Sequence, residues 1–375
     1  MRIGFDAKRY FLNRTGLGNY ARNTISALQT YFPENRYFLY TPGLGKDPNP
    51  LGAHTEVRTP ALCTGRIGSA VWRFFYLPRR IQKDGLDLYH GLSHELPAGI
   101  TKTGCRTAVT MHDLIFMRLP ELYTRIDARI YRLKYSTACK AADLVLAISK
   151  STKDDLQEFF SVPEEKIRVV YQSCDPVFFD SRPKQDLERV RLKYRLPREY
   201  ILYVGSLAPR KNIHNLIRGL GLMGPEDAPF LVLVGRGKKE YVQGAVQIAA
   251  KSGLKNRVLH LPHVPTMDLP ALYQAARVFV YPSVYEGFGI PVLEALASRT
   301  PVITADNSCL REAGGPGSRY VNPESAEEIG QAVHEILGDK ELSQDMIRKG
   351  ERHARGFTPE KRARELMDTY RELVR

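Results

Sequence analysis

The sequence is short of cysteine, and the five it has (Cys63, Cys105, Cys139, Cys174, Cys309) stand in no paired spacing. That argues against a disulfide framework and a cysteine-built zinc site, and it leads to the expectation of a reducing compartment, the cytoplasm. Long apolar runs are missing too: none approaches the roughly 20 residues that a membrane helix needs. The opening MRIGFDAKRYF has no continuous apolar segment of the kind a secretory signal carries, so no signal is expected there. Zinc-finger spacing and aromatic RNA-binding motifs are absent, which argues against nucleic acid as a partner. Negative charge is the scarcer sign, since 41 acidic residues face 55 basic ones, for a formal net charge of +14.

What is present describes a globular chain. At 375 residues, 43% hydrophobic and 26% charged, it exceeds one ordinary core and implies two domains. The basic excess is uneven: residues 58–140 hold 14 Lys/Arg against 6 Asp/Glu, a local +8. Within that window GRIGSAVWRFFYLPRRIQK sets Val71, Trp72, Phe75 and Leu77 among Arg66, Arg73, Arg79, Arg80 and Lys83. Composition supports two readings of 66–83 equally. One is a surface resting on anionic lipid at the inner face of the membrane. The other is a solvated helix whose apolar stripe packs on its own sheet.

Strand-like and helix-like segments alternate. RIGFD (2–6), RYFLYT (36–41), LDLYH (86–90), RTAVTMHD (106–113) and DLVLAIS (143–149) read as strands, with helical patterns at 18–31, 66–83, 124–141 and 150–160. A charged, proline-broken stretch at 176–199 is the expected connection. Beyond it, strands at 200–206, 230–235, 257–261, 277–283 and 301–304 alternate with helices, and helical patterns at 325–338, 340–355 and 359–374 close the chain. The expectation is α/β: two doubly wound, Rossmann-like parallel-sheet domains facing a deep cleft, 1–180 and 199–358, with 359–375 packing back on the first. Ligands of such sheets bind at the carboxyl ends of the strands.

Two strings at strand-to-helix turns point to an anion. LYVGSLAPRKNIHNLI places Arg210 and Lys211 in a loop before a helix capped by Asn212, where cations and unpaired amides suit phosphate. In YEGFGIPVLEAL (285–296), Gly287 and Gly289 let the backbone approach a ligand. Pro291 suits the first helical position. The amides of Val292 and Leu293 then face an anion, and Glu294, in the first turn, reaches neighbouring hydroxyls. Glu286 is placed to accept hydrogen bonds from a sugar ring. His90 and His94 are four apart, but Gly91 favours a loop there, so no metal site is expected. GRG at 235–237 reads as an ordinary strand-to-helix turn.

EGFGIPVLEA, with its two glutamates, resembles the signature of retaining glycosyltransferases of family 4 and the GT-B fold. APRKN, HVPTMDLPALYQAARVFVYPS, ALASRTPVI, TGLGNY, MHDLIF, AISKSTKDDL and VPEEKIRVVY follow that family's pattern in order, so the resemblance covers nearly the whole chain.

The resemblance implies a hexosyltransferase whose donor is a nucleotide sugar and whose acceptor is a glycan or lipid-linked glycan. Arg210 and Lys211 would neutralise the diphosphate, and the loop and helix start at Gly289, Ile290, Pro291, Val292 and Leu293 would complete its cradle. Glu294 would hold the ribose and Glu286 the donor sugar. Gly16 and Gly18, taken as a loop after the first strand, would approach phosphate or acceptor. His112 would lie near the transferred sugar, oriented by Asp113. No cofactor is implied, and no metal: no Asp-x-Asp motif is found and the Arg/Lys pair stands in for the cation. GSLAPRKN and YTRIDARIYRLKYS look most like bacterial mannosyltransferases of surface-polysaccharide assembly, which suggests GDP-mannose. Three departures bear on donor recognition: Ser206 where relatives carry Arg, Arg299 where they carry Gly, and QSCD at 172–175 in place of NGVD. A polyanion- or lipid-binding protein without catalysis, a glycan phosphorylase and a sugar-nucleotide epimerase are the competing readings.

Overall fold

The computed structural model describes residues 1–45, 51–60, 72, 76–307 and 309–375. The chain divides into two units, Met1–Ser173 with Pro359–Arg375, and Cys174–Thr358.

In the first unit, seven parallel strands run in the order β3-β2-β1-β4-β5-β6-β7. They are β1 (Arg2–Asp6), β2 (Arg36–Tyr40), β3 (Thr55–Arg58), β4 (Leu88–Gly91), β5 (Arg106–Met111), β6 (Leu144–Ala147) and β7 (Ile167–Val169). Central strands such as β4 and β6 are buried along their whole length, as expected of a parallel sheet covered on both faces. The edge strands β3 and β7 are short and half-exposed. Their apolar signal is correspondingly weak, which is why sequence periodicity does not reveal them.

Helix Gly16–Tyr31 lays Ala21, Ile25 and Leu28 against this sheet. The C-terminal helix Pro359–Val374 adds Ala363, Leu366, Met367 and Tyr370 to the same core. The Tyr370 hydroxyl meets His90 Nδ1, whose Nε2 meets Thr110 Oγ1 at 2.7 Å. His90 is fully buried in the strand expected at 86–90, which runs on through Gly91 where a loop was expected, and burial pushes its imidazole down to about 3.

Of the 66–83 helix, the described residues form Leu77–Asp84; residues 66–71 and 73–75 lie outside the described part. Trp72, Leu77 and Ile81 are buried in a core cluster, and Arg80 pairs with the buried Asp84 at 3.1 Å. Of the described residues of this segment, Trp72, Leu77 and Ile81 face inward, while Tyr76 is 54% exposed.

The second unit has six parallel strands in the order β10-β9-β8-β11-β12-β13. These are β8 (Tyr200–Val204), β9 (Phe230–Val234), β10 (Val258–Leu261), β11 (Val278–Tyr281), β12 (Val302–Ala305) and β13 (Ser318–Val321). The expected connection at 176–199 holds a helix, Lys184–Tyr194. Arg189, Lys193 and Tyr194 all bond the buried Asp268, so charge anchors a helix that has little apolar face. Strand order reverses between β8 and β11, which makes their carboxyl ends the place where a doubly wound sheet takes a ligand.

Candidate active site

The sites read from the two sequence strings converge at that reversal. β8 ends at Gly205 and leads to the 3-10 turn Pro209–Lys211; β11 ends at Tyr281 and leads to Ser283 and Glu286. The two loops are laced by backbone, since Val284 N–H donates to the Arg210 carbonyl at 2.9 Å. Asn307 Nδ2 donates to the Val284 carbonyl, and Cys309 Sγ lies 3.2 Å from the Glu286 carbonyl and 3.1 Å from that of Phe288.

Four groups meet at one oxygen. Glu286 Oε1 accepts from Lys211 Nζ and Ser283 Oγ, from Tyr281 OH at 3.2 Å, and pairs with Arg210 Nη1 at 2.7 Å. Glu286 is 8% exposed and Lys211 6%, so this is a buried charge cluster with one more positive than negative member. Burial works to raise the Glu286 carboxyl, but Lys211 and Arg210 overcome it and hold the group at about 2. Burial lowers Lys211; Glu286 opposes that and Arg210 adds to it. The ring of Tyr281 lies 4.8 Å from Lys211 Nζ and stacks on Tyr203, and burial pushes both phenols up. Exposed Ser206 follows, its carbonyl accepting from Tyr203 OH at 2.9 Å.

The helix after this loop runs Ile290–Ala297, capped by Gly289 at φ 115°. Ile290 is the first helical residue and Pro291 the second. Val292 and Leu293 N–H groups both turn back to the Gly289 carbonyl, at 2.9 and 3.4 Å. They are not the amides offered outward, and Pro291 has no N–H to offer. Glu294 lies past the first turn and takes a hydrogen bond from Tyr273 OH at 2.9 Å. Enclosure by protein pushes its carboxyl up to about 7, with the Tyr273 bond working against the shift and the Asp175 charge adding to it. Asn212 does precede its helix, but its side chain caps nothing there; its Nδ2 donates to the Pro323 carbonyl.

In the first unit His112 follows β5 and is 4% exposed. Its Nε2 lies 2.8 Å from the Leu92 carbonyl, which only accepts, so Nε2 carries the proton and Nδ1 is left as an acceptor. Burial takes it down to about 4, and Tyr20 packs edge-on against the ring at 4.6 Å. The backbone N–H of His112 donates to His94 Nε2 at 3.0 Å. Asp113 accepts from Ile115 N–H at 3.2 Å and so caps a turn, while Leu92 aims the imidazole. Gly16 and Gly18 are not a loop but the first turn of Gly16–Tyr31. A Cβ on Gly18 would stand 1.9 Å from the Asn13 carbonyl oxygen, whereas Gly16 has open space.

Sequence reasoning missed Tyr281, Ser283, Tyr203, Tyr273 and Asn307. The signal available was a tyrosine last in the apolar string VFVY and last but one in ILYV, a polar tip near a strand's carboxyl end.

Residues 14–178 match the Glycosyltransferase Family 4 domain, and residues 184–353 match glycosyl transferases group 1. O-antigen chain mannosyltransferase B of Escherichia coli is 28% identical over 288 residues, covering 76% of this chain and 74% of that one. O-antigen chain mannosyltransferase RfbU of Salmonella typhimurium is 32% identical over 228 residues, which spans 61% of this chain and 60% of the relative. Among solved structures, Anabaena Alr3699/HepE in complex with UDP superposes at TM-score 0.76 and 19% identity, covering 99% of this chain and all of that one. The fold is that of the GT-B transferases. The chain is a glycosyltransferase, built of a domain matching Glycosyltransferase Family 4 and one matching glycosyl transferases group 1.

Proposed function

We propose that the protein transfers a hexosyl group from a nucleotide sugar to a glycan or lipid-linked glycan, with retention of configuration. Mannosyl is the group favoured by the names of the two mannosyltransferase relatives, and GDP-mannose is the donor that the motif resemblance suggests. One observation carries the reading: Arg210, Lys211 and Glu286 share a buried site at the strand-order reversal, beside a glycine-capped helix start.

The difficult part of such a transfer is the negative charge that builds on the departing diphosphate. Arg210 and Lys211 sit in low-dielectric surroundings, where a fixed cation is worth most, roughly 3–4 kcal/mol of barrier for a well-aimed group. Two side-chain cations supply that charge with no metal called for. Glu286 keeps the buried ammonium protonated, and its Oε2 accepts from a donor-sugar hydroxyl. Glu294, in its ionised form, accepts from the ribose. The bond between the sugar's anomeric carbon and the phosphate oxygen breaks while the acceptor oxygen bonds the same face. The acceptor's proton passes to the leaving phosphate. That route suits a site with cations and sugar-binding groups but no nucleophile beside a base. Neutral His112 offers Nδ1 as an acceptor for a sugar hydroxyl.

The test is a thermal-shift screen of GDP, UDP and their sugar derivatives on the wild-type protein and on Lys211→Met. A ligand far above its dissociation constant stabilises by several kcal/mol. GDP and GDP-mannose are expected to raise the midpoint of the wild type alone. If no nucleoside diphosphate moves it, the donor site is wrong; if only UDP does, the base assignment is wrong.

A further inference from the structure

The helix Arg125–Ala141 of the first unit turns a bare apolar stripe to solvent. Its inner side is held firmly: Tyr131 and Tyr135 join Phe116 and Tyr123 in an aromatic cluster. Ala138 and Cys139 are buried. Thr124 caps the start, accepting from Asp127 N–H at 3.1 Å. On the opposite side Ile126, Ile130 and Leu133 are 71%, 44% and 69% exposed, and at i, i+4, i+7 they form one line. Leu122, 41% exposed, lies just before the helix. The line runs on into a trough of about 450 Å³ between this helix and residues 95–101, lined by Leu96, Pro97, Ile100, Leu133, Thr137 and Ala141.

Charge says what covers this face. The helix carries Arg125, Arg129, Arg132, Lys134 and Lys140 against one acid, Asp127. Lys134 pairs with Glu95 at 3.3 Å; among the described residues no carboxylate pairs with Arg125, Arg129 or Arg132. A second copy meeting this face about a twofold axis would set these arginines against themselves. Nucleic acid would gain nothing from a line of aliphatic side chains. Apolar side chains rimmed by cations match a surface that is negative at its headgroups and hydrocarbon just beneath.

We propose that Arg125–Ala141 is the face by which the protein rests on an anionic phospholipid bilayer. Ile126, Ile130 and Leu133 enter the headgroup boundary, the arginines stay among the phosphates, and the trough receives an acyl chain. No helix among the described residues is long and apolar enough to cross a membrane, so the attachment is peripheral and salt-sensitive.

Flotation with vesicles of phosphatidylglycerol and phosphatidylcholine, and with phosphatidylcholine alone, tests this without donor or acceptor, and so apart from the transferase reading. The wild type is expected to float with the anionic vesicles only, and less so as salt rises. Ile126→Asp with Leu133→Asp abolishes flotation. Arg129→Gln with Arg132→Gln weakens it roughly thirty-fold, the loss of two basic residues near an anionic surface. Both pairs lie on an exposed face, and unchanged circular dichroism and thermal midpoint show that they fold. Equal binding to neutral vesicles, or wild-type binding by both variants, overturns the proposal. So does sedimentation showing a wild-type dimer that Ile126→Asp with Leu133→Asp dissolves, which would make a second copy the occupant.

Discussion

At the scale of single residues, the buried cluster makes Lys211 and Glu286 mutually dependent. Removing the Glu286 charge in Glu286→Gln leaves burial and Arg210 unopposed, so Lys211 loses its proton at a lower pH. The alkaline limb of GDP binding, measured by calorimetry across pH, should move downward in the variant; an unmoved limb would show that the pair is not coupled. Lys211→Met should lower kcat by about 10²–10³, read in a transfer assay at saturating donor. Glu294 gives a second pH effect. Its carboxyl is up at about 7 in the folded protein against an ordinary 4.5, so the folded state binds the extra proton between those values. Stability from this group is full below pH 4.5 and falls as pH rises toward 7. Urea midpoints at pH 5 and pH 8 should therefore differ less in Glu294→Gln than in the wild type. Ribose hydroxyls favour the carboxylate, so GDP binding at pH 7 should release protons, visible as a buffer-dependent binding enthalpy that the same variant lacks.

Elements decide whether those residues meet. Gly289 caps the Ile290–Ala297 helix in a left-handed conformation, and a Cβ there would come within 2.8 Å of Leu310 Cδ2. Gly289→Ala should cost about 1–3 kcal/mol and remove the GDP-induced shift, because the helix start must move; a variant with both intact would deny the cap its role. The helix was legible from Pro291 and the run VLEAL, and so was its place after a strand. Its hydrogen bonding was not. Whether Val292 and Leu293 turn inward to Gly289, and whether Glu294 reaches Tyr273, depends on one residue of phase at the helix start. Gly16 and Gly18 failed the same way. A glycine-rich string reads as a loop, yet Gly18 is there to let helix Gly16–Tyr31 approach the Asn13 carbonyl.

For the whole molecule, the C-terminal helix is part of the first unit's core rather than an appendage. Met367 and Tyr370 are fully buried in it, and Tyr370 bonds His90. Met367→Ala should destabilise that unit by about 2–5 kcal/mol. Deleting 359–375 should abolish its cooperative transition in calorimetry while the second unit still responds to GDP; a chain that melts as before would place the helix outside the core.

Sequence by itself determined the alternation of buried strands and helices, hence two parallel sheets, and it determined the identity of the charged residues at the turns, because both are local patterns of period and residue type. Tertiary structure decided which charges touch. Strand order reverses between β8 and β11, so loops some 75 residues apart present Lys211 and Glu286 to each other. The inward or outward facing of the basic segments was decided there too: Trp72 and Leu77 are buried while Ile126 and Leu133 are bare. An apolar stripe in a sequence has the same spacing whether it meets a sheet or solvent, and only the packed neighbours distinguish the two.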